Sequence, residues 1–451
     1  MAATIQAIKG TRDTLPAESH KNQYIERTAL DTAAAFGFRE MRTPVFEYTE
    51  LFDRGVGETT DVVQKEMYTF TDKGDRSITL RPEGTAGAVR AFLEHGLFNE
   101  PLPQKLCYLT SCYRYEKPQA GRLREFHQFG VECFGAASAA QDAEIISLAD
   151  SFFAALGLSD YTLEINSIGC PTCRAAYSNA LRAYFEDKKD RLCDTCLTRL
   201  DRNPMRILDC KVPDCQAIAA DAPAMLDYLC DDCRAHFENL KGYLTALGIS
   251  YEVNPRIVRG LDYYTRTVFE FVSHHPQTQG LVLCGGGRYD GLVEELGGSP
   301  MPACGFAVGL ERLQMAMDAV GAPFPEAPPC NLALVTAGEA ALLKAMALAA
   351  DLRAEGYSVT VDTVGRSIKA QMKYANKIGA QYTAVIGDNE LEAGTVKLKN
   401  METSDETELP LDTFCEGFSD VLMRRLTDAV AGADFGSLTQ PDIDRLLGGR
   451  G

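Results

Sequence analysis

The stretch that decides the fold is Phe126-His127-Gln128-Phe129-Gly130-Val131-Glu132-Cys133-Phe134, within a chain of 451 residues. Alternating side chains along it predict a β-strand, in which residues two apart share a face. One face then carries Phe126, Gln128, Gly130 and Glu132, and the other is apolar apart from one histidine. Gln128 and Glu132 therefore flank a glycine floor, which suits a small polar ligand with hydrogen-bond donors. A solvated sheet face is the alternative that this pattern leaves open.

The segment 106–116 predicts a partner strand that precedes this one and pairs with it as a hairpin. Arg114 and Glu116 share one face of the partner strand, and residues 117–124 form a basic connection. Arginines near a carboxylate pocket suit a phosphate-bearing substrate, because a guanidinium binds phosphate oxygens in a bidentate fork. A surface hairpin with ordinary salt bridges is the alternative. Paired strands with long insertions favour an antiparallel α+β domain.

Three further segments carry polar groups that could form a site. Glu83 precedes a predicted helix over 86–94 with Thr85 as its N-cap, and could hold an ammonium group or be a solvated acid. Residues 259–267 are polar and aromatic, and 284–291 are rich in glycine, but each alone is also typical of a turn. The sequence contains neither the dinucleotide-binding nor the P-loop glycine pattern. Any nucleotide is therefore bound by a different kind of site.

Composition limits the class of protein. The formal net charge of −18 argues against indiscriminate nucleic-acid binding, although a local basic patch could still meet one nucleic acid. No apolar run reaches the ~18 residues of a membrane span. The first residues have neither the charged region nor the apolar region of a secretory signal. We therefore expect a cytoplasmic protein without a membrane partner.

Cysteines are concentrated in one part of the chain. Eight of the fifteen fall between residues 170 and 233, in four close pairs. In a reducing compartment these spacings predict one or two zinc sites with four thiolates each. Reduced, partly buried thiols are the alternative, and the sequence does not decide between them. The pairs are Cys170 and Cys173, Cys193 and Cys196, Cys210 and Cys215, and Cys230 and Cys233.

A proline-rich segment, 321–329, separates a large N-terminal part from a smaller C-terminal one. The C-terminal part predicts strands over 331–336, 357–363 and 382–386, alternating with helices over 339–355 and 367–378. Such alternation predicts a parallel or mixed sheet covered by helices. In the N-terminal part, residues 169–247 predict an inserted helical module that carries the cysteine pairs.

Together, and in this order, the segments resemble the histidyl-tRNA synthetase family of class II aminoacyl-tRNA synthetases. Residues 9–13 are similar to the start of that family, 38–47 to motif 1, the dimer-interface element, and 114–132 to motif 2. Residues 305–312 are similar to motif 3. Residues 259–264 and 286–291 are similar to the two histidine-specific motifs. Each match is short, but six in the right order are specific.

The resemblance implies a fold and an activity. The fold is an α+β antiparallel-sheet class II catalytic domain over residues 1–325, with a helical, cysteine-rich insertion at about 169–247. An α/β anticodon-binding domain covers 326–430, and the tail 431–451 is unassigned. The activity is that of an AMP-forming histidine–tRNA ligase, which converts L-histidine and ATP to histidyl-adenylate and pyrophosphate. Histidine then passes to the 3′ end of tRNA-His, and the enzyme is a cytoplasmic homodimer.

The same resemblance implies the site residues. Glu83 and Gln128 face the α-amino group of histidine, and Glu132 with the tyrosines faces the imidazole. Arg114 and Arg259 are the catalytic cations, with Arg259 at the α-phosphate, while Mg²⁺ binds the β- and γ-phosphates of ATP. The histidine-binding set is Glu83, Thr85, Arg114, Gln128, Glu132, Arg259, Tyr263 and Tyr264. The ATP-binding set is Arg114, Glu116, Arg122, Phe126 and Arg312, with Phe126 stacking on adenine.

The predicted tRNA contact lies between residues 366 and 399, where six basic residues face three acidic ones. The basic residues are Arg366, Lys369, Lys373, Lys377, Lys397 and Lys399. A solvated helix face is the alternative for Lys369, Lys373 and Lys377. Two rival functions are the non-catalytic regulatory subunit of ATP phosphoribosyltransferase and an RNA-binding module without turnover. The presence of Arg259, Arg312 and residues 331–430 weighs against the first, and the intact acidic and arginine positions weigh against the second.

Overall fold

The computed structural model describes residues 4–57, 60, 62–208, 210, 212–257 and 261–431. The chain forms two compact units, Met1–Pro323 and Phe324–Gly451. Among the described residues, no helix is both long enough and apolar enough to cross a membrane. The unassigned tail from residue 432 onward lies outside the described residues.

The first unit combines eleven strands with ten α-helices in its described residues, besides shorter 3-10 and π turns. The strands are β1 (Arg39–Glu40), β2 (Phe46–Tyr48), β3 (Tyr68–Thr71), β4 (Ser77–Leu80), β5 (Gln104–Tyr113), β6 (Glu125–Phe134), β7 (Tyr161–Ser167), β8 (Glu252–Val253), β9 (Thr265–Ser273), β10 (Val282–Arg288) and β11 (Ala303–Gly309). The helices are α1 (Pro16–Ala35), α2 (Thr49–Val56), α3 (Thr85–Glu94), α4 (Ala139–Ala155), α5 (Pro171–Glu186), α6 (Asp194–Arg202), α7 (Pro213–Ala219), α8 (Asp231–Ala246), α9 (Leu292–Glu295) and α10 (Leu310–Val320).

An eight-stranded sheet organises this unit, in the order β1-β5-β6-β11-β10-β9-β7-β8. Its six inner strands pair antiparallel, and only the short edge strands β1 and β8 pair parallel to their neighbours. The hairpin of β5 and β6 is confirmed. The predicted extent of the first strand is wrong at its end, because β5 stops at Tyr113 and the chain turns so that the Arg114 amide bonds the Arg124 carbonyl.

One face of this sheet is covered by α4, which supplies an aromatic core. Phe129 of β6 meets Phe152 of α4 and Phe306 of β11 edge to face, at ring-centroid distances of 5.3 and 5.8 Å. Phe153 packs edge to face against Phe271 of β9, with 5.2 Å between the centroids. All of these rings are buried. Because side chains alternate along a strand, the opposite face of β6 is left to polar residues.

The insertion between β7 and β8 is helical, as predicted. Helices α5 to α8 bury Tyr177, Leu181 and Phe185 of α5 in a hydrophobic cluster that continues into the rest of the unit, where it includes Phe92 and Tyr263. Short helices and turns fill most of the segment between α5 and α8. A second, three-stranded antiparallel sheet, β2-β4-β3, lies elsewhere in the unit.

The second unit is an α/β domain with a mixed five-stranded sheet, in the order β13-β12-β14-β15-β16. The strands β12, β13 and β14 are parallel, whereas β15 and β16 join antiparallel. The strand–helix alternation is therefore confirmed. Its elements are β12 (Leu332–Thr336), α11 (Glu339–Ala354), β13 (Val359–Val361), α12 (Ile368–Lys377), β14 (Tyr382–Ile386), α13 (Asp388–Ala393), β15 (Thr395–Asn400), β16 (Glu406–Pro410) and α14 (Phe414–Ala431).

Candidate active site

A cavity of about 330 Å³ lies on the polar face of the large sheet. Of the twelve residues predicted for the site, ten line it. Glu132 lies behind the wall, and Arg259 falls in the segment 258–260, outside the described residues. The ten are Glu83, Thr85, Arg114, Glu116, Arg122, Phe126, Gln128, Tyr263, Tyr264 and Arg312.

The floor of the cavity is formed where β6 lies beside β11. The register places Gln128 opposite Gly309 and Glu132 opposite Gly305. A Cβ atom on Gly305 would overlap the Glu132 carboxylate and stand 2.8 Å from the Tyr289 hydroxyl. Gly130 is equally constrained, because a Cβ there would overlap the ring of Tyr108. Glycine at these two positions thus lets the polar groups approach the backbone closely.

Glu132 is the buried acidic group at the closed end of the cavity. The Tyr108 hydroxyl donates a hydrogen bond to Oε1 of Glu132 over 2.8 Å, and the Tyr289 hydroxyl donates to Oε2. Burial raises the pKa of Glu132 to about 8, although the hydrogen bonds from the tyrosines oppose the rise. This raised pKa favours the protonated form of the carboxyl group at neutral pH.

Glu83 caps the first turn of α3 through its side chain. Its carboxylate accepts hydrogen bonds from the amides of Thr85 and Ala86, over 2.7 and 2.8 Å. The predicted N-cap is wrong by one residue, because α3 begins at Thr85 and its free amides are satisfied by Glu83 rather than by the Thr85 hydroxyl. Burial raises the pKa of Glu83, against those amide bonds and the nearby positive charge of Arg114.

Three tyrosine rings build one wall of the cavity. The centroid of Tyr263 lies 4.7 Å from that of Tyr264 and 5.4 Å from that of Tyr289. All three side chains are buried, and burial raises the pKa of Tyr263 and of Tyr289. Neutral hydroxyl groups on a rigid aromatic wall can both donate and accept hydrogen bonds.

Arg114 and Phe126 meet at the more open end. The guanidinium of Arg114 stands over the Phe126 ring, 5.2 Å from its centroid, and its Nε donates to the Pro82 carbonyl over 2.8 Å. Glu116 accepts a hydrogen bond from Arg122 over 3.3 Å and lies 4.0 Å from Arg114. These contacts concentrate positive charge around one carboxylate and one aromatic face.

Arg312 is held beside the loop that joins β5 to β6. Its Nε donates to the Gly121 carbonyl over 2.8 Å, in a turn where Gly121 has a φ of +70°. Glu311, the preceding residue, accepts hydrogen bonds from both the amide and the ring Nδ1 of His127. This bond raises the pKa of His127. His127 is not a core residue, because its side chain is 44% exposed.

Behind the cavity, the buried carboxylate of Asp142 in α4 joins four elements. It accepts hydrogen bonds from Arg288 of β10 over 2.5 Å, from Thr267 of β9 over 2.6 Å and from His236 of α8 over 2.7 Å. Burial alone would raise the pKa of Asp142, but the partners His236 and Arg288 lower it. This Asp142 network links the sheet to the last helix of the insertion.

The sequence analysis missed four polar residues of the site, one of which is Glu311 on the lining of the cavity. Tyr289 and Tyr108 hold Glu132, and Glu270 lines the cavity. Tyr289 lies within the segment 286–291 that resembles a histidine-specific motif, so only its contact with Glu132 was not predicted. Tyr108 had a weak signal, because it lies directly across the hairpin from Gly130. A large residue opposite a glycine indicates a side chain that crosses over that glycine.

In the second unit, the predicted basic cluster is partly neutralised. Arg366 bonds Asp362 over 2.5 Å and Lys397 bonds Glu406 over 3.1 Å. Both acids lie outside the 366–399 window, so the local charge counted from the sequence was too positive. The remaining exposed lysines, Lys369, Lys373 and Lys377, lie along α12, and the Arg366 guanidinium stands 4.6 Å over the Tyr374 ring.

Comparison with known proteins gives concordant matches. The family model described as histidyl-tRNA synthetase matches residues 10–313, and an anticodon binding domain model matches residues 331–420. The histidine–tRNA ligase of Acetivibrio thermocellus is 55% identical over 408 residues, which cover 90% of this chain and 98% of the relative. That of Caldicellulosiruptor bescii is 52% identical over 420 residues, covering 93% and 100%. The crystal structure of apo S. aureus histidyl-tRNA synthetase superposes with a TM-score of 0.80 at 40% identity, covering 92% of this chain and all of that one.

Proposed function

The chain belongs to the histidyl-tRNA synthetase family, and from that premise we propose how its cavity divides between two small substrates. The enzyme activates histidine with ATP, releases pyrophosphate and transfers histidine to tRNA-His. Histidine takes the closed end, where the buried acids and tyrosines lie, and ATP takes the open end, where the arginines lie. One observation carries the division: ten predicted residues line a single cavity, in which Glu83 and the tyrosine wall are buried whereas the Arg122 side chain is 50% exposed.

The imidazole of histidine lies against Tyr263, Tyr264 and Tyr289. Since the Tyr289 hydroxyl donates its hydrogen bond to Glu132, its oxygen is left as an acceptor for an imidazole N–H. Glu132 thus fixes the polarity of this wall from behind. A site whose hydrogen-bond acceptors are fixed in position rejects amino acids that lack a matching donor. Their binding would leave a buried acceptor unpaired.

The α-amino group lies between Glu83 and Gln128, which line the cavity beside the start of α3. The Glu83 carboxylate is fixed by two backbone amides, so an ammonium group meets a pre-positioned acceptor. The Gln128 amide oxygen lies 3.2 Å from the Cys112 thiol, which orients its side chain. The carboxylate of histidine then points to Arg114.

ATP binds across the open end with adenine on the free face of Phe126. Arg114 lies between the two substrates, where the histidine carboxylate attacks the α-phosphorus. Negative charge builds on the phosphoryl oxygens as pyrophosphate leaves, and a fixed cation stabilises it. Arg122 and Arg312 position the remaining phosphates. We place Arg259 at the α-phosphate as the second catalytic cation, on the resemblance alone.

Magnesium would bind the β- and γ-phosphates of ATP. The residues at hand fit such an ion, because the carboxylates of Glu116 and Glu270 line the cavity and Mg²⁺ prefers one or two carboxylates together with phosphate oxygens. Bound there, it would neutralise the charge of the departing pyrophosphate. Glu116 also accepts a hydrogen bond from Arg122, so its carboxylate would contact both the magnesium ion and this arginine.

We assign residues 1–325 to the catalytic domain and 326–430 to the anticodon-binding domain. Helix α12 would meet tRNA phosphates through Lys369, Lys373 and Lys377, while Arg366 and Tyr374 form a flat surface for an unstacked base. Phosphate contacts position a nucleic acid, and stacked bases add sequence preference.

We assign a homodimer through the small sheet. Its strands expose Phe46, Tyr48 and Phe70, with exposed fractions of 57%, 56% and 48%, and Val45 beside them is 40% exposed. Clustered exposed apolar side chains indicate an interaction surface. Residues 38–47, which resemble the dimer element of the family, contain part of this surface. A translation enzyme of this kind would act in the cytoplasm, where tRNA is used.

The division of the cavity is tested by ATP–pyrophosphate exchange without tRNA, run with each of the twenty amino acids. Exchange should occur with histidine alone. Glu83→Gln should raise the KM for histidine about tenfold to a hundredfold, as expected for a lost charged hydrogen bond, with little change for ATP. The matched variant Arg122→Gln should do the reverse. If Glu83→Gln instead raises the KM for ATP and Arg122→Gln raises the KM for histidine, the two substrates occupy the opposite ends of the cavity.

A further inference from the structure

The insertion gathers eight cysteines into two groups of four. The basal cluster contains Cys170, Cys173, Cys230 and Cys233, and the distal cluster contains Cys193, Cys196, Cys210 and Cys215. Within each cluster, all four sulfur atoms lie within 4.8 Å of one another. We propose that each cluster binds one structural zinc ion through four thiolates, so that the chain carries two.

The sulfur spacings match the geometry of tetrahedral zinc. With zinc–sulfur bonds of about 2.3 Å, the edges of a regular tetrahedron of sulfurs measure about 3.8 Å. In the basal cluster, Cys170 lies 3.5 Å from Cys173 and 4.0 Å from Cys230. In the distal cluster, Cys193 lies 3.9 Å from Cys210. These distances are far above the 2.05 Å of a disulfide, and all fifteen cysteines are free.

Backbone amides point at the sulfurs. The Cys230 amide donates to the Cys173 sulfur over 3.1 Å, and the Cys193 amide donates to the Cys215 sulfur over 3.3 Å. Such donors stabilise thiolates and orient metal ligands. The basal cluster contains two Cys-x-x-Cys pairs and the distal cluster one, and the first member of each pair precedes a helix, at the starts of α5, α6 and α8. The positive end of a helix dipole favours a thiolate over a thiol.

A bound cation explains the clustering better than packing does. The cysteines of the large sheet, such as Cys112, Cys133 and Cys284, are scattered apolar residues of its core. In contrast, each cluster brings together four sulfurs from two separate segments and leaves at least one of them partly exposed. An iron–sulfur cluster is a poorer fit, because its thiolates must spread around several metal and sulfide atoms.

The positions of the two ions give each a structural task. The basal cluster joins the first and last helices of the insertion, α5 and α8, and so closes the module at its ends. The distal cluster joins the start of α6 to the start of α7, in a region built from short helices. Metal ligation commonly stabilises regions that have little regular structure of their own. The proposal does not rest on the assignment of histidine and ATP above.

The test is zinc quantification by plasma mass spectrometry on the full chain, without an affinity tag and after passage over a chelating resin. We expect two zinc ions per chain. Cys196→Ser should lose the distal ion alone and Cys233→Ser the basal ion alone, leaving one ion each. The matched control Cys415→Ser, a partly buried cysteine of the second unit, should keep both.

A readout on the unmutated chain covers the case in which the variants do not fold. Titration with a mercurial reagent should release two zinc ions, and cobalt in their place should give the intense visible absorption of tetrahedral thiolate coordination. A zinc content of one or none in the unmutated chain would overturn the two-site assignment. So would iron in place of zinc, or equal zinc loss in Cys415→Ser and Cys196→Ser.

Discussion

Replacing Glu132 by glutamine tests the buried carboxyl group at the closed end of the cavity. Its pKa is raised from 4.5 to about 8 by burial. Between these values the folded protein holds a proton that the unfolded chain releases, so stability falls as pH rises. One proton is worth about 1.36 kcal/mol per pH unit, which gives a loss of about 2 kcal/mol between about pH 6 and about pH 8. Glutamine has no proton to release and avoids this loss.

The assay is denaturant unfolding of both proteins over this pH range, followed by circular dichroism because the chain contains no tryptophan. The difference in unfolding free energy, variant minus parent, should grow by about 2 kcal/mol from the lower to the higher pH. Subtraction cancels the other titrating groups. Infrared difference spectra should show a protonated carboxyl band that fades with a midpoint near the pKa of about 8. A constant free-energy difference with no such band would show that Glu132 is ionised at neutral pH and would refute the reasoning.

Three further predictions concern the two catalytic steps. Arg259→Ala should leave the fold intact and slow adenylate formation by roughly a hundredfold or more, measured by pyrophosphate exchange; near-normal exchange would remove it from the mechanism. Changing Lys369, Lys373 and Lys377 together to glutamine should raise the KM for tRNA and weaken its salt dependence without altering exchange, and an unchanged KM would move the tRNA contact elsewhere. Deleting residues 331–451 should reduce aminoacylation much more than exchange, whereas equal losses would contradict the assignment of the second unit.

The alternating pattern of the deciding strand was enough to predict its faces. Gln128 and Glu132 do share a face, and the register adds the glycines of β11 beside them. Periodicity could not show that Glu132 lies under tyrosines, because Tyr108 and Tyr289 come from other strands. It also could not show where β5 ends, since the Arg114–Arg124 backbone bond forms only once the loop has closed.

The net charge counted over residues 366–399 was misleading, because some of the ion-pair partners lie outside that segment. Asp362 and Glu406 pair with Arg366 and Lys397, and neither acid lies in the segment whose charge was summed. The cysteine pairs show the same limit. Their spacing predicted four-thiolate sites, but it could not show which pairs meet, because that depends on how the helices between Cys173 and Cys230 fold back.

The Asp142 network limits how freely the insertion can be exchanged between relatives. A chimaera that imports a foreign insertion without a counterpart of His236 leaves the Asp142 carboxylate short of one buried partner, next to Arg288 and Thr267. A lost buried hydrogen bond of this kind costs about 1–3 kcal/mol before any loop mismatch is counted. The insertion is therefore not a self-contained cassette. Its last helix and the sheet under the cavity have to be inherited, or redesigned, as a pair.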